Sequence, residues 1–416
     1  MRLRVYRKLK QVGEIFTSDQ GVCFSYDPGF IASNGYPISL SMPLSTDVYP
    51  QSKALPFFDG LLPEGNQRLE LSDVLRTPPT STMKLLAAMA GDCVGDLVIM
   101  DEEMDIDRIM ASSGYAPLTG EELGGLLRPD SRDRTRFLAA RRLSLAGAQP
   151  KIGLFHKDGT WYKTVGLFPT THIIKPVSRF DPSILVNEFL IMRLGGLCNL
   201  EVPDIDVIHQ MGYAGLAIKR FDRIVSDDGV ERIGQEDLCQ ALSVMPAEKY
   251  QESGGPELRD IFTIVRLHTS TPLQDLRKLL RLALFNYLTG NCDAHAKNFS
   301  LLRDLNEGAL ALAPAYDLLC TTFYGDDLSR SMAMSIGKHS RIDRISDEDF
   351  AIFADEVGIG LTVVKKEMAS LRNGIASSLD DALAQAADEL PAFTRDASSL
   401  RDHLLQELQQ RSGILN

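Results

Sequence analysis

The spacing of apolar residues divides the chain into strand-like and helix-like stretches. Over residues 1–45, short apolar runs (RLRVYRKL, VCFSYDPGF, YPISLSMPL) are broken by Gly, Pro, Asn and Asp, as in hairpins and meanders. FFDGLLPEGNQRLEL and STMKLLAAMA then carry helical spacing from Phe57 to Ala90, and a strand is expected over 93–100. A polar stretch from Asp101 to Arg142 reads as a separator, its basic end RPDSRDRTRFLAARR as a solvated, charge-mixed linker or a local basic patch. Strand-like segments return in LSLAGAQPKIGLF, TWYKTVGLF, THIIKPV, IDVIHQ and GLAIKRFD, around one helical segment, PSILVNEFLIMRLGGLC. From Gln235 onward helical spacing dominates, interrupted only around residues 299–340. This order predicts an α+β fold: a β-rich α/β module over 1–125, a strand-rich lobe over 126–234 and a mostly helical lobe over 235–416.

The densest chemistry follows the helical segment LRKLLRLALFNYLTG. Its apolar positions 276, 279, 280, 283, 287 and 288 share one face, and Gly290 is placed to cap its end. Directly behind it, NCDAHAKNFSLL sets an aspartate, a histidine, a lysine and an asparagine within six residues. FSLL and ALALAP then read as two short strands around a turn at 306–308, and the second delivers Tyr316 and Asp317 just past Pro314.

Phosphoryl transfer needs a carboxylate to orient the attacking hydroxyl and oxygen ligands for Mg²⁺ against the triphosphate. Asp293 and Asn298 have the D-x-x-x-x-N spacing of a protein-kinase catalytic loop, and Asp317 stands where a kinase places its principal metal-binding aspartate. His295 is placed to steady Asp293 or to contact a phosphate. Lys175, inside the apolar run THIIKP, is the candidate cation for the α- and β-phosphates, although an edge-strand lysine would read the same way. Glu188, on the following helix, either pairs with it or faces water. No G-x-x-x-x-G-K-[ST] or G-x-G-x-x-G occurs. In RRLSLAGAQPKIGLF, Ser144, Ala146, Gly147, Ala148 and Gln149 are small or polar enough for backbone N–H groups to approach phosphate, or to form an ordinary turn.

Composition narrows the class. The chain has 416 residues, 44% hydrophobic and 24% charged, an ordinary globular balance with room for two or three cores. Its six cysteines include no CxxC pair, which argues against a zinc site or a disulfide framework. No stretch approaches a membrane span, and a cytoplasmic location is expected. The net charge of −12 would repel a phosphate backbone, so DNA contact is expected only through a partner.

Taken in order, LSLAGAQPKIGLF, THIIKP, IKRFDR, QEDLCQAL, NCDAHAKNFSLL and PAYDLL, with FFDGLLPEGNQR upstream, resemble the HipA family, the kinase toxins of bacterial HipBA-type toxin–antitoxin modules. The resemblance runs from about residue 3 to residue 340. It implies a two-lobed protein-kinase-like, phosphoinositide-kinase-like fold and a serine/threonine protein kinase using ATP and Mg²⁺. It assigns Asp293 as catalytic aspartate, Asn298 and Asp317 as metal ligands, Lys175 as a phosphate contact, and Lys219, Arg220 and Phe221 as the adenine-side hinge. The LSLAGAQPK loop would cover the phosphates, with Ser144 as the autophosphorylated serine. It further implies a HipB-like antitoxin, a small basic DNA-binding protein, as partner. The implied substrate is an aminoacyl-tRNA synthetase of the glutamyl type, whose modification would halt translation and promote growth arrest and persistence.

Other classes share some of these features. A catalytically silent scaffold that binds an antitoxin could use the same fold, but would have no chemical reason to keep Asp293, Asn298 and Asp317 together. A small-molecule or lipid kinase fits the same three residues, since they do not define the acceptor. A metal-dependent hydrolase built on Asp293, His295 and Asp317 lacks a further His or Cys cluster to complete its first shell.

Overall fold

The computed structural model describes residues 1–33, 35–129, 132–178, 181–304, 308–327 and 329–415. Residues 306 and 307, in the expected turn at 306–308, lie outside them. The chain separates into two compact units, one made of Met1–Arg179, Ile208–Ala247 and Leu302–Gly308, the other of Phe180–Val207, Glu248–Leu301 and Ala309–Asn416.

The first unit opens with an antiparallel sheet in the order Gly21–Tyr26, Lys10–Ser18, Arg2–Arg7, Leu97–Asp101. Leu3 and Val5 alternate with Arg2 and Arg4, so one face is buried completely while the other keeps its charges. The first hairpin turns on Lys8 and Leu9 at φ 47° and 63°, the left-handed pair that a two-residue hairpin connection requires. Phe24, Phe57, Phe58, Leu62, Leu86 and Ile99 fill the core between this sheet and the helices Gln51–Gly60 and Thr82–Met89.

A second sheet in the same unit runs Gly114–Pro117, Thr160–Val165, Ile152–Lys157, His172–Pro176, Tyr213–Lys219. The strand carrying Lys175 is therefore flanked on both sides, which removes the edge-strand explanation for that lysine. The stretch 101–142 is not a linker. It forms the helices Ile106–Ala111, Gly120–Leu127 and Arg132–Arg141 and the strand Gly114–Pro117. Leu123, Leu126, Leu127 and Leu138 are buried among its charges, and the Arg134 guanidinium donates to the carbonyls of Leu126, Arg128 and Pro129. Charge density hid an amphipathic pattern there.

Two polar clusters lie inside this unit. In one, Arg220 and Arg223 are fully enclosed and divide their donors among Asp92, Asp222 and the Cys93 carbonyl at 2.7–3.4 Å, with Arg232 also on Asp92. Burial alone would push the Asp92 carboxyl up, but the guanidinium groups of Arg223, Arg220 and Arg232 hold it well below the usual carboxylate range. In the other, Glu236 accepts from the Ser39 hydroxyl at 2.7 Å and the Leu40 amide at 3.1 Å, with Arg303 3.5 Å away. Here burial prevails and pushes the carboxyl from 4.5 up to about 7. The native state therefore holds a proton that the unfolded chain releases, and stability contributed by this group is lost as pH rises from about 4.5 through about 7. Glu236→Gln should flatten that slope. Thermal melts of both proteins at about pH 5 and about pH 8 check it, the variant losing less stability between the two.

The second unit is mainly helical. Leu361–Glu389 packs on Ser183–Leu197, Pro272–Thr289 and Thr394–Gln410. Val364, Met368, Leu371, Ile375 and Leu379 recur every three or four residues and are all buried, the stripe that a central helix needs. Glu367 on the same helix binds Arg277 at 2.7 Å and Arg281 at 2.6 Å. Among the described residues, no helix is long and apolar enough to cross a membrane.

Candidate active site

The loop bearing the candidate base is set by the end of the helix Pro272–Thr289. Gly290 closes that helix at φ 73°, and a Cβ there would come within 2.2 Å of the Thr322 hydroxyl, so only glycine fits. Two of the helix's last carbonyls are satisfied from just past the end of the helix Thr394–Gln410: Arg411 donates to Tyr287 at 3.0 Å and Leu288 at 3.2 Å. Thr321 then bridges the turn, donating to the Gly290 carbonyl at 3.0 Å and accepting from the Cys292 amide at 2.8 Å.

Asp293 follows with its backbone fixed three times over. Its amide donates to the Asn291 side-chain oxygen at 3.2 Å, and its carbonyl accepts from the His295 amide at 2.8 Å and from Asn298 Nδ2 at 3.1 Å. Asn298 thus spends its donor inside the loop, which leaves Oδ1 as the end of the amide able to face a cation. His295 and Asn298 are buried, whereas Asp293 is exposed, and its Oδ1 accepts from the Tyr250 hydroxyl at 2.8 Å. Tyr250 also meets His295 edge-on, with ring centres 5.3 Å apart. Sequence reasoning missed Tyr250, because nothing in KYQESGG marks a residue that returns to a loop 43 positions away.

Asp317 reaches the same loop through its neighbour. The Tyr316 hydroxyl donates to the Lys297 carbonyl at 2.7 Å and lies 2.6 Å from the Ser300 hydroxyl, so the backbone leading into Asp317 is pinned beside Asn298. Asp317 itself sits at φ 58°, in the left-handed region. Beyond it, Asn187 grips Cys320 with both ends of its amide, at 2.8 and 3.0 Å. Its neighbour Glu188 is buried at 1% exposure, which excludes the solvated-face reading of that residue.

The donor chemistry suits Mg²⁺: one carboxylate and one amide oxygen, both hard ligands. Among the described residues, no group of three or more His, Cys, Asp and Glu side chains is gathered to hold a metal. An ion here would complete its shell with waters and phosphate oxygens, as Mg²⁺ does in phosphoryl-transfer sites.

The remaining candidates belong to the first unit. Ser144 has no exposed surface, and its hydroxyl donates to the Leu61 carbonyl at 2.7 Å. Gly147 adopts φ 103° and accepts from the Glu64 amide at 3.0 Å, while the Lys151 ammonium donates to the Ala146 carbonyl at 2.7 Å. Ala148 is exposed; Ala146 and Gln149 are half-buried. Ile152 pairs with Ile174, so the same register continued one rung outward sets Lys151 opposite Lys175, and the 144–149 loop leads into the sheet at the Lys175 end. Lys175 itself is buried at 5% exposure. Of the hinge residues, Lys219 is exposed and Phe221 half-buried, whereas the Arg220 side chain is committed to Asp92, Asp222 and Thr170.

Comparison with known proteins places the chain in a family. The HipA N-terminal domain profile matches residues 3–100 and that of the HipA-like C-terminal domain residues 143–386. A Sinorhizobium fredii protein named "putative kinase Y4mE" is 36% identical over 394 residues, covering 93% of each chain. The serine/threonine-protein kinase toxin HipA of Shewanella oneidensis is 28% identical, covering 91% of this chain and 87% of that one. The structure of Shewanella oneidensis HipA, solved with HipB and its operator DNA, superposes with a TM-score of 0.83 at 24% identity over 99% of this chain and 98% of that one, and so shows the same α+β fold. With both family domains matched in order and a relative at 36% identity over nearly its whole length, the chain belongs to the HipA family of serine/threonine kinase toxins.

Proposed function

We propose that the chain is an ATP- and Mg²⁺-dependent serine/threonine protein kinase, the toxin of a type II toxin–antitoxin pair. The observation that carries this reading is the exposed Asp293 carboxylate on a loop whose backbone is held by Asn298, with Asp317 pinned beside that loop by Tyr316. Asp293 orients a seryl or threonyl hydroxyl and takes its proton as the oxygen attacks. Asn298 Oδ1 and the Asp317 carboxylate hold Mg²⁺, and Lys175 meets the α- and β-phosphates. Ala146, Gly147, Ala148 and Gln149 present backbone N–H groups to the nucleotide, and Lys219 to Phe221 border the adenine. His295 braces the loop through its amide and its contact with Tyr250. When bound, ATP supplies the phosphoryl group, and Mg²⁺ neutralises charge on its oxygens.

The partner in this reading is a small basic HipB-like antitoxin, supported by the HipB present with the Shewanella oneidensis protein and by this chain's net charge of −12. DNA is contacted through that partner, in the cytoplasm. The substrate, by family likeness, is an aminoacyl-tRNA synthetase of the glutamyl type. Phosphoproteomics after brief induction, active chain against an Asp293 variant, tests this. A synthetase phosphosite present only with the active chain is expected, and its absence would remove the synthetase from the account.

Ser144 is the self-modification site in this reading. Its hydroxyl is buried on Leu61, so the loop has to leave before transfer, and a phosphoserine bearing about −1.5 to −2 charges could not return to that enclosed position. Ser144→Asp should therefore be inactive, and Ser144→Ala should fold and bind nucleotide without self-modification. Mass spectrometry decides the first step: phosphate at Ser144 is expected in the active protein and not in Asp293→Asn, and the reverse pattern would end this assignment.

A further inference from the structure

The Tyr250–Asp293 contact carries more than loop packing. A kinase base must receive a hydrogen bond from the acceptor's alcohol at about 2.6–3.2 Å. Tyr250 already supplies such a contact, an O–H group 2.8 Å from Asp293 Oδ1. The Asp293 backbone is fixed by Asn291, His295 and Asn298, whereas the phenol meets the side-chain carboxylate. The bond is exposed, which makes it replaceable at low cost.

The tyrosine is also held deliberately. Gly254 turns the chain at φ 86°, and the Gly255 amide donates back to the Tyr250 carbonyl at 2.9 Å. A Cβ on Gly255 would come within 2.1 Å of the Glu248 carbonyl oxygen and 2.7 Å of that of Tyr250. On the far side, Gln251 accepts from the Ser335 amide at 2.7 Å and its hydroxyl at 2.8 Å. The turn therefore sets where the phenol points, and no residue larger than glycine can occupy its closing position without moving it.

We propose that Tyr250 gates the acceptor subsite. Its phenol occupies the place of the substrate alcohol on Asp293, keeps water from that position, and is displaced when a seryl or threonyl hydroxyl enters. This rests on the kinase reading of Asp293. The phenol keeps its proton throughout, and no bond to it forms or breaks.

Two variants test it. Tyr250→Phe removes the hydroxyl, and Gly255→Ala moves the turn without touching Asp293. Without nucleotide, Asp293 is labelled with a water-soluble carbodiimide and glycine ethyl ester and followed by peptide mass mapping. With Mg²⁺ and ATP, hydrolysis and transfer to dephosphorylated casein are measured across casein concentrations. Both variants should label Asp293 about tenfold faster, hydrolyse ATP faster, and show a casein KM lowered by about tenfold at unchanged kcat, the effect of losing one competing hydrogen bond. Unchanged labelling, or a fall in kcat at constant KM, overturns the gate and leaves the kinase reading standing. Absence of transfer to casein, water or the protein itself in wild type and variants alike overturns the kinase reading, and the gate with it.

Discussion

Asp293→Asn is expected to lower phosphotransfer by about two to four orders of magnitude while the protein stays folded and still binds ATP, since a positioned acid–base group contributes on that scale. The substitution keeps shape and loses charge. The bonds from Asn291, His295 and Asn298 that fix the loop at this position use the backbone, and the Tyr250 hydroxyl, which meets Oδ1, can donate to an asparagine oxygen as it does to the carboxylate. The side chain is exposed, so its exchange should change stability by no more than about 0.5 kcal/mol. Asp317→Asn is the contrasting case, expected to abolish Mg²⁺-dependent nucleotide binding. Calorimetric titration with ATP, with and without Mg²⁺, beside a labelled-phosphate assay separates the two. Near-normal transfer by the Asp293 variant would show that the role assignment is wrong.

Asp92→Ala should produce the largest loss of stability, about 3–5 kcal/mol, because it leaves buried guanidinium groups without their shared carboxylate. Asp92 is 2% exposed and accepts from Arg220, Arg223 and Arg232 as well as from the Thr170 amide and hydroxyl. Its attraction to the arginines does not make the cluster a net source of stability, since enclosing so many charges is itself costly. The asymmetry lies in removal: one carboxylate lost strands several cations at once. Chemical denaturation should show a lowered midpoint for the first unit, with Asp92→Asn intermediate because it keeps part of the hydrogen bonding. A shift below about 1 kcal/mol would mean that Asp222 alone suffices to balance these arginines.

Legibility followed from how local each signal is. The helix ending at Gly290 and the loop beyond it were readable because capping, apolar spacing and the D-x-x-x-x-N interval all fall within one short stretch of chain. The strands at Ile152–Lys157, Thr160–Val165 and His172–Pro176 were readable for the same reason. Residues 101–142 were misread, since four buried leucines there are outnumbered by charges, one of which, Arg134, turns inward onto backbone carbonyls. Tyr250, Asn187 and Arg411 were invisible because each acts across 43, 133 and 124 positions respectively, and no local pattern distinguishes them. Arg220 shows the same gap from the other side: its place in IKRFDR was plain, but not that its side chain would be spent on Asp222 beside it and on residues from two other segments.

The left-handed backbone of Asp317 narrows what can ever stand there. At φ 58°, β-branched and bulky side chains pay about 1–3 kcal/mol, and only glycine, asparagine and aspartate are at ease. The metal-binding role proposed for Asp317 asks for something different, a charged oxygen on a short arm. Glycine meets the first demand without the second, and asparagine meets the first with a neutral oxygen. Glutamate has the charge, but one methylene more reach and poorer tolerance of the fold. Two independent filters therefore overlap at a single residue type, so a library randomised at position 317 should divide into variants that fold without working and variants that do neither, with aspartate as the survivor.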